Sequence, residues 1–185
     1  MLILIACEFS GKVREAFKQR GHNAWSCDLQ DTELPGQHLR CKVELVLKKY
    51  KWDMLIAFPP CTYLTSAGMM WNKKMPWRVK ETIRALKFVS LLANARIEQI
   101  CLENPVGILS TYWRKPDQII EPWQFGHPQT KKTCLWLKNL PKLVPTCMVQ
   151  PTSSLVQTTP GGRKQSNNRS RTIDGIAKAM AEQWG

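Results

Sequence analysis

Four short apolar runs that stop abruptly in polar or proline-bearing residues set the architecture open to this chain. Leu2–Cys7 (LILIAC) is apolar throughout and reads as a strand buried on both faces. Asn23–Cys27 reads as a second strand ending at Asp28, and Met54–Phe58 (MLIAF) as a third running into Pro59-Pro60. Gln99–Leu102 reads as a fourth, ending at Glu103-Asn104-Pro105. Proline lacks the N–H that a helix interior or central strand needs, so those ends are firm. Amphipathic segments lie between the runs. Lys12–Arg20 sets Val13, Ala16 and Phe17 on one helical face and stops at Gly21, and Val43–Tyr50 brings Val43, Val46, Leu47 and Tyr50 together. Val79–Ala95 carries the stripe Val79, Ile83, Leu86, Val89, Leu92, and Ile173–Trp184 closes the chain with Ile176, Ala177, Met180 and Ala181 facing inward. Thr133–Leu137 reads as a further strand, while 29–41 and most of 138–170 read as loop. Strands alternating with helices predict an α/β fold, its sheet mainly parallel and covered by helices on both faces. A length of 185 residues suits one domain, 1–185.

Composition narrows the class. Hydrophobic residues at 43% and charged residues at 22% exclude a disordered or collagen-like chain. No apolar run reaches the roughly 18 residues of a membrane span. The Met1–Cys7 run is short and has no basic region before it, unlike a secretory signal. The expectation is a soluble protein of the cytoplasm, without a membrane partner. Seven widely spaced cysteines without a CxxC pair, and three scattered histidines, match no zinc site, so no metal is expected. Lys+Arg 27 against Asp+Glu 14 gives a net charge of +13 and a pI near 9.7. Such an excess concentrates polyanions and favours phosphate contacts, which points to nucleic acid or a nucleotide.

In parallel α/β sheets, ligands bind beyond the carboxyl ends of strands. Here those ends hold Glu8-Phe9-Ser10-Gly11, Asp28, Pro59-Pro60-Cys61 and Glu103-Asn104-Pro105. A strand-to-helix turn such as EFSG exposes N–H groups to a polar ligand, and an acid at Asp28 is well placed for ribose hydroxyls. Two prolines stiffen the backbone before Cys61 and fix where its sulfur points, as a nucleophile aimed at a ring carbon requires. A carboxyl at the end of a buried strand, Glu103, is held neutral by desolvation and can give up a proton. A thiol, an acid and a donor pocket together suit addition to a pyrimidine. Protonation of cytosine N3 makes carbon 6 open to thiolate, and the adduct is nucleophilic at carbon 5.

At these residues the chain resembles the DNA cytosine-5 methyltransferase family, and within it the short phage-type and prophage-type members. Ile5-Ala6-Cys7-Glu8-Phe9-Ser10-Gly11 is similar to the donor-binding Phe-x-Gly motif, and Asp28 to the acid that holds the donor ribose. Pro59-Pro60-Cys61 resembles the Pro-Cys nucleophile motif, Gly68 keeps the spacing to the end of the catalytic loop, and Thr65 stands where a hydroxyl meets phosphate. Glu103-Asn104-Pro105 resembles Glu-Asn-Val, and Phe125-Gly126-His127-Pro128-Gln129 resembles FGxPQ. The resemblance implies a single-domain Rossmann-like methyltransferase fold, S-adenosylmethionine as donor and no metal. It implies Cys61 and Glu103 as catalytic residues. Asn104, Thr65, Gln129 and Lys131 become substrate contacts, and Ala6, Phe9, Ser10, Gly11, Asp28 and Pro59 donor contacts. The implied partner is DNA, with single-stranded DNA or RNA as variants, in the cytoplasm of a bacterial or phage-infected host cell.

Departures from the family pattern keep an alternative in view. Lys42 stands where an acid near the donor adenine is expected, and Lys131 and Thr133 stand where arginines are expected. A small basic loop-rich segment, 138–171, replaces a target-recognition domain, with Gly161-Gly162-Arg163-Lys164 and Arg169-Ser170-Arg171 suited to phosphate rather than to base edges. The alternative is a weak or inactive nucleic-acid-binding relative, or a methyltransferase acting on RNA or free cytosine nucleotides. Trp71, Trp77, Trp113 and Trp123 fall outside the strands and are expected to pack or form a lid, and the basic stretch Trp71–Arg78 reads as a loop closing on nucleic acid.

Overall fold

A computed structural model describes residues 1–154 and 171–185. Its core is a seven-stranded sheet in the order β3-β2-β1-β4-β5-β8-β6. The strands are β1 (Leu2–Ala6), β2 (Asn23–Asp28), β3 (His38–Arg40), β4 (Met54–Ala57), β5 (Gln99–Pro105), β6 (Gln118–Ile120) and β8 (Thr133–Lys138). β3, β2, β1, β4 and β5 run parallel, and β8 is inserted antiparallel between β5 and β6. A separate two-stranded ladder joins β7 (Gln129–Thr130) to β9 (Ser153–Ser154).

The period-two alternation of the central strands divides the core into two layers. Ile3 and Ile5 face α1 (Lys12–Gln19) and α6 (Asp174–Trp184), packing with Val13, Phe17, Ala177 and Met180. Leu4 and Ala6 face the other way, onto Val43 and Val46 of α2 (Val43–Lys49) and Val89 and Leu92 of α4 (Arg78–Ala93). The sheet is thus covered on both faces, as the unbroken apolar runs require. The inward face read for the last helix is buried at Ile176, Ala177, Met180 and Ala181.

Four expectations are corrected. The run from Gln99 does not stop before Glu103, since β5 continues through Asn104 and Pro105, which pair with Cys134 and Thr133 of β8. Within 29–41, His38–Arg40 forms β3, an edge strand too short and too polar to leave an apolar run. The stripe on α4 is buried only in its second half. Val79 and Ile83 are exposed, and the first half turns Thr82 inward, where its hydroxyl accepts from Asn72 Nδ2 at 3.1 Å. Trp71–Lys74 is not loop but the end of α3 (Ser66–Lys74), which Thr65 caps. No helix among the described residues is long and apolar enough to cross a membrane.

Candidate active site

The strand order reverses direction between β1 and β4, and in α/β sheets ligands bind beyond the carboxyl ends at such a switch point. The β1 end is held by its own side chains. Buried Glu8 accepts from Ser10 Oγ at 3.0 Å and from the Val13 N–H at 2.8 Å, so its carboxylate closes the start of α1. Burial pushes the Glu8 carboxyl above the ordinary carboxylate range, and the bonds from Val13 and Ser10 oppose that rise. Gly11 has φ +76°, and a Cβ there would meet Arg14 Nη2 at 2.7 Å. Arg14 is wholly buried and donates to Ser26 Oγ (2.9 Å), Thr32 Oγ1 (3.2 Å), Leu34 O (2.7 Å) and Pro35 O (3.2 Å). One guanidinium therefore stitches the loop after β2 beneath the Phe9–Gly11 turn.

That loop also covers the turn from outside. The Glu33 N–H donates to Phe9 O at 2.9 Å, and Arg171 Nε donates to Glu33 Oε2 at 2.8 Å while its guanidinium lies 5.8 Å from the centre of the Phe9 ring. Arg171 holds the Glu33 carboxyl below its usual range. Asp28, half-buried at the β2 end, accepts from the Gln30 N–H through Oδ1 at 2.9 Å. Ala6 is fully buried in the sheet and Phe9 nearly so. Lys42, the residue before α2, is exposed.

The ends of β4 and β5 are joined directly. Ala57 pairs with Leu102, and beyond that register buried Asn104 donates through Nδ2 to Pro59 O at 2.7 Å. This bond anchors the chain two residues before Cys61 to the residue after Glu103. Downstream of Cys61 the turn is equally fixed. The Leu64 and Thr65 N–H groups donate to Cys61 O (2.9 and 3.1 Å), and Thr65 Oγ1 accepts from the Gly68 N–H at 3.1 Å. Arg78 Nη2 donates to Thr62 O at 3.3 Å, and the Ile108 N–H donates to Leu64 O at 2.8 Å. The approach at Leu64 is so close that a Cβ on Gly107 would lie 2.1 Å from its carbonyl oxygen.

Glu103 keeps some exposed surface, yet its carboxyl is enclosed, and burial raises it above the usual range. Lys131 and a hydrogen bond from Thr133 pull in the opposite direction. A cavity of about 30 Å³ beside it is lined by Phe58, Lys131, Thr133 and Arg171 among others. A second, of about 410 Å³, shares Lys131 and Arg171 and adds Lys12, His127 and Gln129. Lys131 lines both cavities, beside Glu103 in the first and Gln129 in the second, while Cys61 lines neither. A larger cavity, about 1060 Å³, lies at the opposite end among Met1, Asp53 and Gln99 and contains none of these residues.

Sequence reasoning missed Arg14, Arg171 over Phe9, and the contact of Thr133 with Glu103. An arginine inside an amphipathic helix reads as surface, and no spacing in the sequence marks Arg14 as buried. Trp71 and Trp77 are exposed rather than packed, whereas Trp113 leans on buried Trp136, centres 5.8 Å apart. The basic cluster at 161–164 and most of that at 169–171 lie outside the described residues. No group of three or more His, Cys, Asp or Glu among the described residues could hold a metal ion.

No protein-family model matches the chain, and no curated protein matches it. Solved structures do. A prophage-encoded Escherichia coli protein, named as a candidate DNA modification methyltransferase, is 13% identical with a TM-score of 0.50, over 85% of this chain and 55% of that one. An rRNA methylase from Escherichia coli is 12% identical with a TM-score of 0.41, over 74% of this chain and 56% of its own. The Entamoeba histolytica methyltransferase EhMeth is 12% identical with a TM-score of 0.44, over 80% and 57%. The chain spans just over half the length of each. The fold is the Rossmann-like α/β fold of the prophage protein.

Proposed function

We propose that this chain moves a methyl group from S-adenosylmethionine to carbon 5 of cytosine in DNA, with Cys61 as nucleophile and Glu103 as the acid at N3. The observation that carries the reading is the Asn104–Pro59 bond, which ties the two strand ends bearing these residues into one unit. Buried carboxyls that hold their proton to higher pH than usual are suited to proton transfer, and Glu103 is such a group.

In the reaction, the Cys61 thiolate adds to carbon 6 while Glu103 passes its proton to N3. The donor, when bound, would supply an electrophilic methyl to carbon 5 and leave as the neutral thioether. Transfer of the carbon 5 proton to water and cleavage of the carbon–sulfur bond, which frees the Cys61 thiolate, then restore the ring, and the N3 proton returns to Glu103. The turn fixed by Asn104, Gly107 and Arg78 keeps the sulfur in one place, which lowers the entropic cost of attack. Lys131, beside Glu103, steadies the carboxylate left after proton transfer. In a polymer the target base leaves its stack to be reached. On the donor side, Asp28 keeps Oδ2 uncommitted among the described residues, which suits ribose hydroxyls, and Ala6, Phe9, Ser10, Gly11 and Pro59 would be the other donor contacts. Thr65 spends its oxygen as an acceptor on Gly68 and retains its O–H to meet a phosphate.

The test is transfer of labelled methyl to DNA, with mass spectrometry for 5-methylcytosine. The expected result is label in wild type and none in Cys61→Ala. Its absence in wild type, with every donor concentration tried, overturns the reading. One observation favours the runner-up, a weak or inactive nucleic-acid-binding relative. Glu8, Ser10 and Glu33 already satisfy polar groups of the donor turn that a ligand would otherwise meet. On that reading nucleic acid binds and labelled donor does not.

A further inference from the structure

We infer that the surface formed by α3, the start of α4 and α5 (Leu109–Tyr112) binds an unpaired polynucleotide strand, so that the acceptor reaches Cys61 as single-stranded rather than duplex nucleic acid. The inference deepens the proposed function and rests on Cys61 being the nucleophile.

Three observations converge. The first is aromatic exposure beside the Cys61 turn. Trp71 is 50% exposed, Trp77 57% and Tyr112 66%. Folded chains seldom leave so much large apolar surface open without a partner. All three rings sit on elements braced to that turn, α4 through Arg78 on Thr62 O and α5 through Ile108 on Leu64 O. The second is charge. Residues 62–80 contain no Asp or Glu and four basic residues, Lys73, Lys74, Arg78 and Lys80. The third is how cations and rings are interleaved. Lys74 Nζ lies 5.3 Å from the centre of the Trp71 ring, and one Arg78 guanidinium lies 4.7 Å from that of Tyr63 and 5.9 Å from that of Trp77.

Rings alone would suit a second copy of the chain or an apolar peptide. Cations alone would suit the phosphates of any nucleic acid. Rings and cations alternate over a surface whose acid at the start of α4, Glu81, is paired with Arg84, and they suit a strand whose phosphates meet the cations and whose base faces meet the rings. In a duplex those faces are buried by stacking, so the exposed tryptophans would have nothing to cover them. A strand already unpaired also removes the cost of extracting the base.

Fluorescence anisotropy with a labelled DNA strand of about 16 nucleotides, the RNA of the same sequence, and the matching duplex tests this without donor or turnover. The expected result is single-strand binding about tenfold tighter than duplex binding, with Trp71→Ala and Trp77→Ala each weakening it about tenfold and leaving duplex binding unchanged. Trp77→Phe keeps most of the affinity. The two single strands decide whether DNA or RNA is preferred. Equal affinity for strand and duplex, or tryptophan variants that bind like wild type, overturns the inference. So does sedimentation in which wild type self-associates through these tryptophans and the variants do not. Methylation of duplex DNA without a strand preference sinks this inference alone, whereas strand binding without methyl transfer sinks the proposed chemistry alone.

Discussion

At Glu103, the proposed chemistry and stability pull against each other. Burial favours its neutral form, so the folded chain keeps the proton to a higher pH than the unfolded chain does. The sign follows from linkage. Between the ordinary carboxylate range and the raised folded value, the unfolded state has released a proton that the folded state still holds, so stability falls as pH rises across that window. Glu8 acts in the same sense. Glu103→Gln removes this loss and leaves no acid for N3. At neutral pH it is expected to unfold at a higher denaturant midpoint than wild type while methyl transfer drops about a hundred- to ten-thousand-fold. A variant that loses both activity and stability contradicts this account. Lys131 pulls Glu103 towards its charged form, so Lys131→Met should move the alkaline limb of the kcat profile to higher pH, whatever it does to KM. Arg14 is the structural counterpart. Replacing it by Met leaves the Pro35 carbonyl without its donor and takes one of the partners of Leu34 O and Ser26 Oγ, at a cost of about 3 kcal/mol by urea unfolding.

Among the elements, α3 joins chemistry to binding. Its cap, Thr65, follows Cys61 by a single turn, and both local order and any phosphate contact run through the one hydroxyl. Thr65→Ala should cost about 1 kcal/mol in helix stability, read by hydrogen exchange across 66–74. Thr65→Asp keeps a capping oxygen and adds a negative charge. It should hold the helix yet weaken nucleic-acid binding, which separates the two roles. This helix was illegible in the sequence because SAGMMWNKK shows no apolar period, its order coming from the cap and from Asn72 on Thr82. The strands β1, β4 and β5 were legible because burial on both faces leaves unbroken apolar runs. β3, β6, β7 and β9 were not, since two or three residues held by edge pairing carry no periodicity. The candidate site follows the same division. Pro59-Pro60-Cys61 and Glu103-Asn104-Pro105 stand out as punctuation at strand ends, but nothing in either foretells that Asn104 would bind Pro59. Still less does the sequence foretell that Arg171 would reach Glu33 across most of the chain.

The whole molecule separates its charge from its chemistry less than its fold would allow. With +13 spread over 185 residues, any polyanion is attracted, and that attraction alone favours duplex, whose phosphates are denser. Two contributions therefore compete in strand choice, and salt tells them apart. Phosphate contacts release counterions, and affinity falls with a slope of about −0.9 per contact for duplex against about −0.7 for a single strand. Stacking on Trp71 and Trp77 releases none. Raising salt from about 50 to about 200 mM should therefore weaken both complexes but widen the ratio favouring the single strand. In Trp71→Ala/Trp77→Ala two tenfold losses should take the ratio to about one tenth, and it should rise with salt by the same difference in slope as in wild type. A wild-type ratio that narrows as salt rises would mean that the preference comes from charge arrangement and not from the rings. The surface beside Cys61 would then be a phosphate track on which the tryptophans have no part in choosing the strand.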